Sequence, residues 1–171
     1  AAETLARSLL GYAAAWKPSP RRGVLYAGGV AGKRHLERAG FAPADYQGGK
    51  PGPEQVLVVG AGGGAKLAAS KAAIAEFLKG GGRLLALGLD QEEANAFLPT
   101  RVTMKKAEHI AAFFEPAGMG SPLAGVGPAD VHNRDPREVP LVTGGAVAAG
   151  NGVLAAAEGG GQDAVPGGHS P

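Results

Sequence analysis

The chain has no cysteine, which removes disulfides, thiolate metal sites and cysteine nucleophiles together and leaves the redox compartment open. No stretch approaches the roughly 20 apolar residues of a membrane-spanning helix. The opening "AAETLARSLLGYAAAW" mixes acidic and basic residues among apolar ones, without the basic start and unbroken apolar run of a secretion signal. Strong charge is lacking as well. The net charge is +2 and the Lys and Arg residues are scattered, so neither a nucleic-acid nor a membrane partner is expected. Pairs such as Arg21-Arg22 and Lys105-Lys106 read as solvated surface. Repeats at a fixed period are absent.

What is present is a chain of 171 residues, 44% hydrophobic and 19% charged, which suits one globular domain with a buried core. The expected domain spans residues 1–158, of which 1–20 form a leading helix and linker. The tail from Gly159, "GGGQDAVPGGHSP", has little that can pack and is expected to be disordered. Thirty glycines make the side chains unusually small overall, and glycine motifs therefore arise by chance more often than usual.

Leu5, Leu9, Tyr12, Ala13 and Trp16 recur at three- and four-residue steps and predict an amphipathic helix over 3–16, followed by an extended link at Pro18 and Pro20. "GVLYAGG" (23–29) reads as a buried strand, "AGKRHLERAG" (31–40) as a short helix, and Asp45-Tyr46 as at most a brief strand. "QVLVVG" (55–60) has the unbroken apolar run of a strand covered on both faces. A helix is expected over 66–79, a strand over 83–88, and a further helix capped by Asp90, with Gln91, Glu92 and Glu93 in its first turn. This alternation implies parallel strands with helices on both sides. Beyond Thr100, "TRVTMKKAEHIAAFFEP" predicts a strand and a short helical turn. A proline-rich loop over 121–140 and short strands in "VPLVTGG", "AVAAG" and "GVLAAAE" follow.

The loop "GAGGGA" (60–65) fits the G-x-G-x-x-G/A spacing between strand and helix, where backbone amides can face a pyrophosphate. A dinucleotide site also needs an acid about 20 residues on, at the end of the next strand. Residues 78–84 contain none, and Asp90 comes too late. The phosphate-loop pattern fails as well, with Ala65 in place of the last glycine and Leu67 where a magnesium-binding hydroxyl belongs. The expected role is structural, with Gly62, Gly63 and Gly64 letting the chain turn away from the strand. As a ligand site the loop would draw on Gly28, Gly29, Gly60, Gly62, Gly63, Gly64 and Lys66. No cofactor is expected.

The run "QVLVVGAGGGAKLAASKAAIAEFLKGGGRLLALGLD" resembles the middle of class I glutamine-amidotransferase-like domains, especially the non-catalytic kind attached to beta-galactosidases and other large bacterial glycosidases. The helix ending in "FLKGGG" (77–82) and the strand leading to a sharp turn carry the likeness, which covers about residues 20–100. "SPLAGVGPADVHNRD" (121–135) is similar to the loop that follows in such domains. The resemblance implies an α/β, flavodoxin-like three-layer sandwich with a mostly parallel sheet, ending here in short β-rich segments. Active members carry a nucleophile on the sharp turn, activated by a histidine and an acid. In this chain that turn holds Ala86, Leu87 and Gly88. "HLE" (35–37) falls in an early helix rather than downstream, and no alkyl side chain forms a covalent intermediate.

One polar constellation remains: His109, Asp130, His132 and Asp135. Its spacing matches no metal-binding signature, and turn capping is the expected role of Asp130 and Asn133. An enzyme with an unfamiliar site around Asp130 and His132 ranks below two other readings. The first expectation is a non-catalytic accessory domain of a carbohydrate-active enzyme, partnered by other domains of the same polypeptide or by copies of itself. The leading helix with Trp16 fits a junction between modules. The alternative is a small-molecule or nucleotide-binding domain that uses the glycine loops at the C-terminal edge of the sheet.

Overall fold

A computed structural model describes residues 2–15 and 22–158. The proline link and the tail from Gly159 lie outside the described residues. The elements are α1 (Ala2–Ala15), β1 (Gly23–Ala27), α2 (Val30–Arg38), β2 (Ala44–Asp45), β3 (Gln55–Gly60), α3 (Gly64–Ala68), α4 (Lys71–Lys79), β4 (Arg83–Leu87), α5 (Gln91–Phe97), β5 (Thr103–His109), β6 (Arg137–Gly144), β7 (Val147–Ala149) and β8 (Leu154–Ala156). Among the described residues no helix is long and apolar enough to cross a membrane.

Strands β1 to β4 form one sheet in the order β2-β1-β3-β4, with every pairing parallel. This is the order of a flavodoxin-like sheet through its fourth strand, and the fold is a three-layer α/β sandwich. Alternation along the strands sorts the layers. Ala27, Leu57 and Val59 face one side, where Leu67, Ile74, Phe77, Ala94 and Phe97 from α3, α4 and α5 complete the main core. Tyr26 and Val58 face the other side, against Leu36 of α2. The apolar run of β3 is thus explained by its place: it is a central strand, and Leu57 to Gly60 are all buried. Lys33 on α2 reaches Asp45 on β2 at 2.7 Å, fastening that helix over the sheet edge.

Two expected helical elements differ, and the loop expected over 121–140 ends sooner, because Arg137 to Pro140 already pair with β5. The helix anticipated over 66–79 is broken at Ala69-Ser70, where the Ser70 amide bonds Leu67 O at 2.9 Å in a tightened turn. The break lets α3 lie against α5 while α4 turns Ile74 and Phe77 onto the sheet. No helical turn follows β5. The Ile110 carbonyl accepts instead from the Asn133 amide at 2.7 Å, and the His109 carbonyl accepts from the Asn133 side chain at 3.3 Å, so the acceptors that would start a helix are taken.

Strand β5 leaves the parallel sheet and pairs antiparallel with β6, while β7 pairs antiparallel with β8. The β5–β6 ribbon is attached to α5 by side-chain clamps. Asn95 donates to Val102 O at 2.9 Å and accepts from Val102 N at 2.8 Å, and Gln91 accepts from Met104 N at 2.8 Å. Because β5 does not extend the parallel sheet, β4 stays at its edge. Its residues are exposed except the half-buried Leu84.

Candidate functional site

The C-terminal ends of β1, β3 and β4 bring together the glycine loop, the segment after β1 and the turn after β4. Between β1 and β3 the strand order reverses, the usual place for a ligand in an open α/β sheet. The loops there are bonded to one another: the Gly29 amide donates to Ala61 O at 3.0 Å, and Lys66 Nζ donates to Gly28 O at 3.0 Å.

The glycine loop is engaged in the same manner. The Gly62 amide, which would face an anion, donates to Oε1 of Glu93 at 2.6 Å. Glu93 is fixed by its own backbone, whose amide donates to the cap Asp90 at 2.8 Å. Gly62 has φ +79, a left-handed conformation that glycine adopts without penalty. Gly63 and Gly64 are small for another reason. A Cβ on Gly63 would lie 2.5 Å from Ala27 O, and one on Gly64 would lie 2.5 Å from Glu93 O and 2.7 Å from its Cα. The loop's spacing therefore serves a close contact between β1, α3 and α5, with a protein carboxylate at the amide.

Tyr26 accounts for further glycines. Its hydroxyl donates to Gly29 O at 3.0 Å, and the same hydroxyl occupies the space that side chains on Gly28, Gly32 and Gly60 would need. Burial raises the Tyr26 phenol above its usual range by desolvation. Beside this ring lies a cleft of about 300 Å³, lined by Tyr26, Gly32, His35, Gly60, Ala61 and Leu87 among others.

At the turn after β4, Ala86 and Leu87 lie inside the strand, and the positive φ of +63 falls on Gly88. The strained position of the bend carries no side chain. Leu85 and Leu87 are 47% and 42% exposed and point to the same sheet face as Val58 and Gly60, their partners in the register.

The polar constellation is dispersed in role. His109 is buried at the end of β5, with Nε2 2.8 Å from Val131 O. Asp130, in the 3-10 turn Pro128–Val131, accepts from Gly127 N at 2.8 Å. His132 and Asp135 are exposed. Among the described residues no three His, Asp or Glu side chains converge as a metal site would require. The residues that sequence reasoning missed are Glu93, Tyr26 and Asn95. Glu93 had a signal in its place in the first turn of a helix, though nothing local indicates which loop it meets.

Comparison with protein-family models, with curated proteins and with solved structures found no match.

Proposed function

We propose that this chain is a non-catalytic accessory domain of a larger carbohydrate-active enzyme, serving packing between domains or subunits. The observation that carries the packing role is the uncovered apolar face of β4, where Leu85 and Leu87 stand nearly half exposed at the edge of a sheet. A lone exposed leucine is ordinary, but neighbouring ones on a strand edge mark a contact surface. The absence of chemistry is supported by the bend at Gly88, which offers neither hydroxyl nor thiol, and by loop amides already bonded within the chain. The carbohydrate-active parent rests on the sequence resemblance.

Two measurements test this. The purified chain, incubated with glutamine and with chromogenic glycosides, is expected to show no turnover above background; turnover that a substitution at the β4 bend abolishes would overturn the proposal. The reading frame on either side should encode glycosidase modules, and unrelated neighbours would remove the parent enzyme from the reading.

A second reading, a small-molecule-binding domain, is favoured by the cleft beside Tyr26 at the point where the strand order reverses. Saturable thermal stabilisation by a nucleotide or sugar, lost when Gly32 is made bulky, would raise it above the first.

A further inference from the structure

The chain has no cysteine and two methionines, so a peroxide that oxidises sulfur finds two thioethers and no thiol to react before them. The fold gives these two residues opposite surroundings. Met104 lies in β5, half-buried, and packs against the main core. Its amide donates to Gln91 Oε1 at 2.8 Å, so the strand that carries this side chain is pinned at that residue.

Met119 stands at the second position of the turn that the Ser121 amide closes on Gly118 O at 2.9 Å. It is 93% exposed, the most exposed large apolar side chain among the described residues. Its neighbours Gly118 and Gly120 have open space where a Cβ would stand. The turn is braced beyond its tip. Ser121 Oγ accepts from Leu123 N at 3.1 Å, and Ala124 N donates to Ser121 O at 3.0 Å. These bonds are made by the backbone and by Ser121, so a change at the Met119 sulfur leaves them in place.

The chemistry of the two sulfurs then diverges. The thioether attacks one oxygen of hydrogen peroxide; an S–O bond forms as the O–O bond breaks, and the other oxygen leaves as water after proton transfer. Sulfur is oxidised and peroxide reduced. The product is a polar sulfoxide, which reductases return to the thioether. At Met119 the new oxygen enters water and displaces no packing. At Met104 it would be carried against an apolar core, where a polar group without a partner is costly, and the same core contacts hinder the approach of peroxide.

We propose that Met119 is a site of reversible oxidation by peroxides that reacts ahead of Met104, and that the fold tolerates the sulfoxide at the loop tip but not beside the core. The loop thereby exchanges an apolar tip for a polar one while the α/β body is unchanged.

The test uses the full chain in dilute hydrogen peroxide. Trypsin places the two methionines on separate peptides, 102–105 and 107–134, so mass spectrometry follows each by itself. In the native chain Met119 should gain oxygen about fivefold faster than Met104, and the two rates should converge in concentrated urea. Chains oxidised at Met119 alone should keep the thermal transition of the untreated chain, and a methionine sulfoxide reductase should remove the oxygen. The drop in melting temperature on exhaustive oxidation should be larger in Met119→Leu, where Met104 alone carries sulfur, than in Met104→Leu. Equal native rates, faster reaction at Met104, equal drops in the two variants, or a lowered transition after oxidation at Met119 alone would each overturn the proposal.

Discussion

Tyr26 shows how one side chain fixes several neighbours. Its hydroxyl requires the space beside Gly28, Gly32 and Gly60 and satisfies Gly29 O. Tyr26→Phe loses that bond together with the hydroxyl's contacts to these glycines, so it should lower stability at neutral pH by about 1–2 kcal/mol in urea unfolding, with little change in the slope. The pH dependence has a definite sign. Burial raises the folded phenol above its ordinary pKa, which is about 10 in an unfolded chain. The folded state thus holds the proton more tightly, and the associated stability is intact below pH 10 and lost as pH rises through the folded pKa. A melting temperature that declines above pH 10 in the parent chain should decline less in Tyr26→Phe.

The loop glycines separate two costs at the same scale. Gly62 has a positive φ with nothing near its absent Cβ, whereas Gly64 is pressed against the Glu93 backbone. Gly62→Ala should cost about 1 kcal/mol, from left-handed strain alone. Gly64→Ala must push α3 away from α5 and should cost about 2–3 kcal/mol. Equal midpoints for the two variants in denaturant would refute the distinction. The glycine spacing was legible as a strand-to-helix turn. That the Gly62 amide meets Glu93 was not, because 31 residues separate the partners and only the fold brings them to one edge.

Among the elements, α5 is the joint between the parallel sheet and the antiparallel ribbons. Its start was readable, since Asp90 has the side chain that caps a helix and accepts from Glu93 N. Its outward face was not. Asn95 clamps Val102 through two hydrogen bonds, and Val102 is nearly buried. Asn95→Ala leaves both backbone groups of Val102 unpaired and should destabilise by about 1–2 kcal/mol, with amides of β5 exchanging faster than those of β3. Unchanged β5 exchange would show that the ribbon is held by other contacts. The single helix expected over 66–79 failed for a related reason. Apolar spacing records which residues face inward, but not that α3 and α4 face two different neighbours.

For the whole molecule, burial sets the order of opening. Strand β3 is central, with Leu57 and Val59 fully enclosed, so its amides should exchange only through global unfolding. Among the described residues the edge strand β4 has one neighbour, and it should exchange faster by hydrogen-exchange mass spectrometry. Comparable protection in β3 and β4 of a dilute sample would mean that β4 is covered.

The sequence by itself determined the α/β class, the parallel pairing and the central place of β3, because alternation of buried strands and amphipathic helices is a local record of which side chains must leave water. It also determined that Ala86, Leu87 and Gly88 bring neither hydroxyl nor thiol to the end of β4, since that is a matter of residue identity. Only the tertiary structure decided that β5 abandons the parallel sheet, that Glu93 meets the glycine loop and that Leu85 and Leu87 of β4 stand exposed. Each of these depends on which distant surfaces meet. A local pattern of apolar residues says that a face needs a partner, but not which partner it finds.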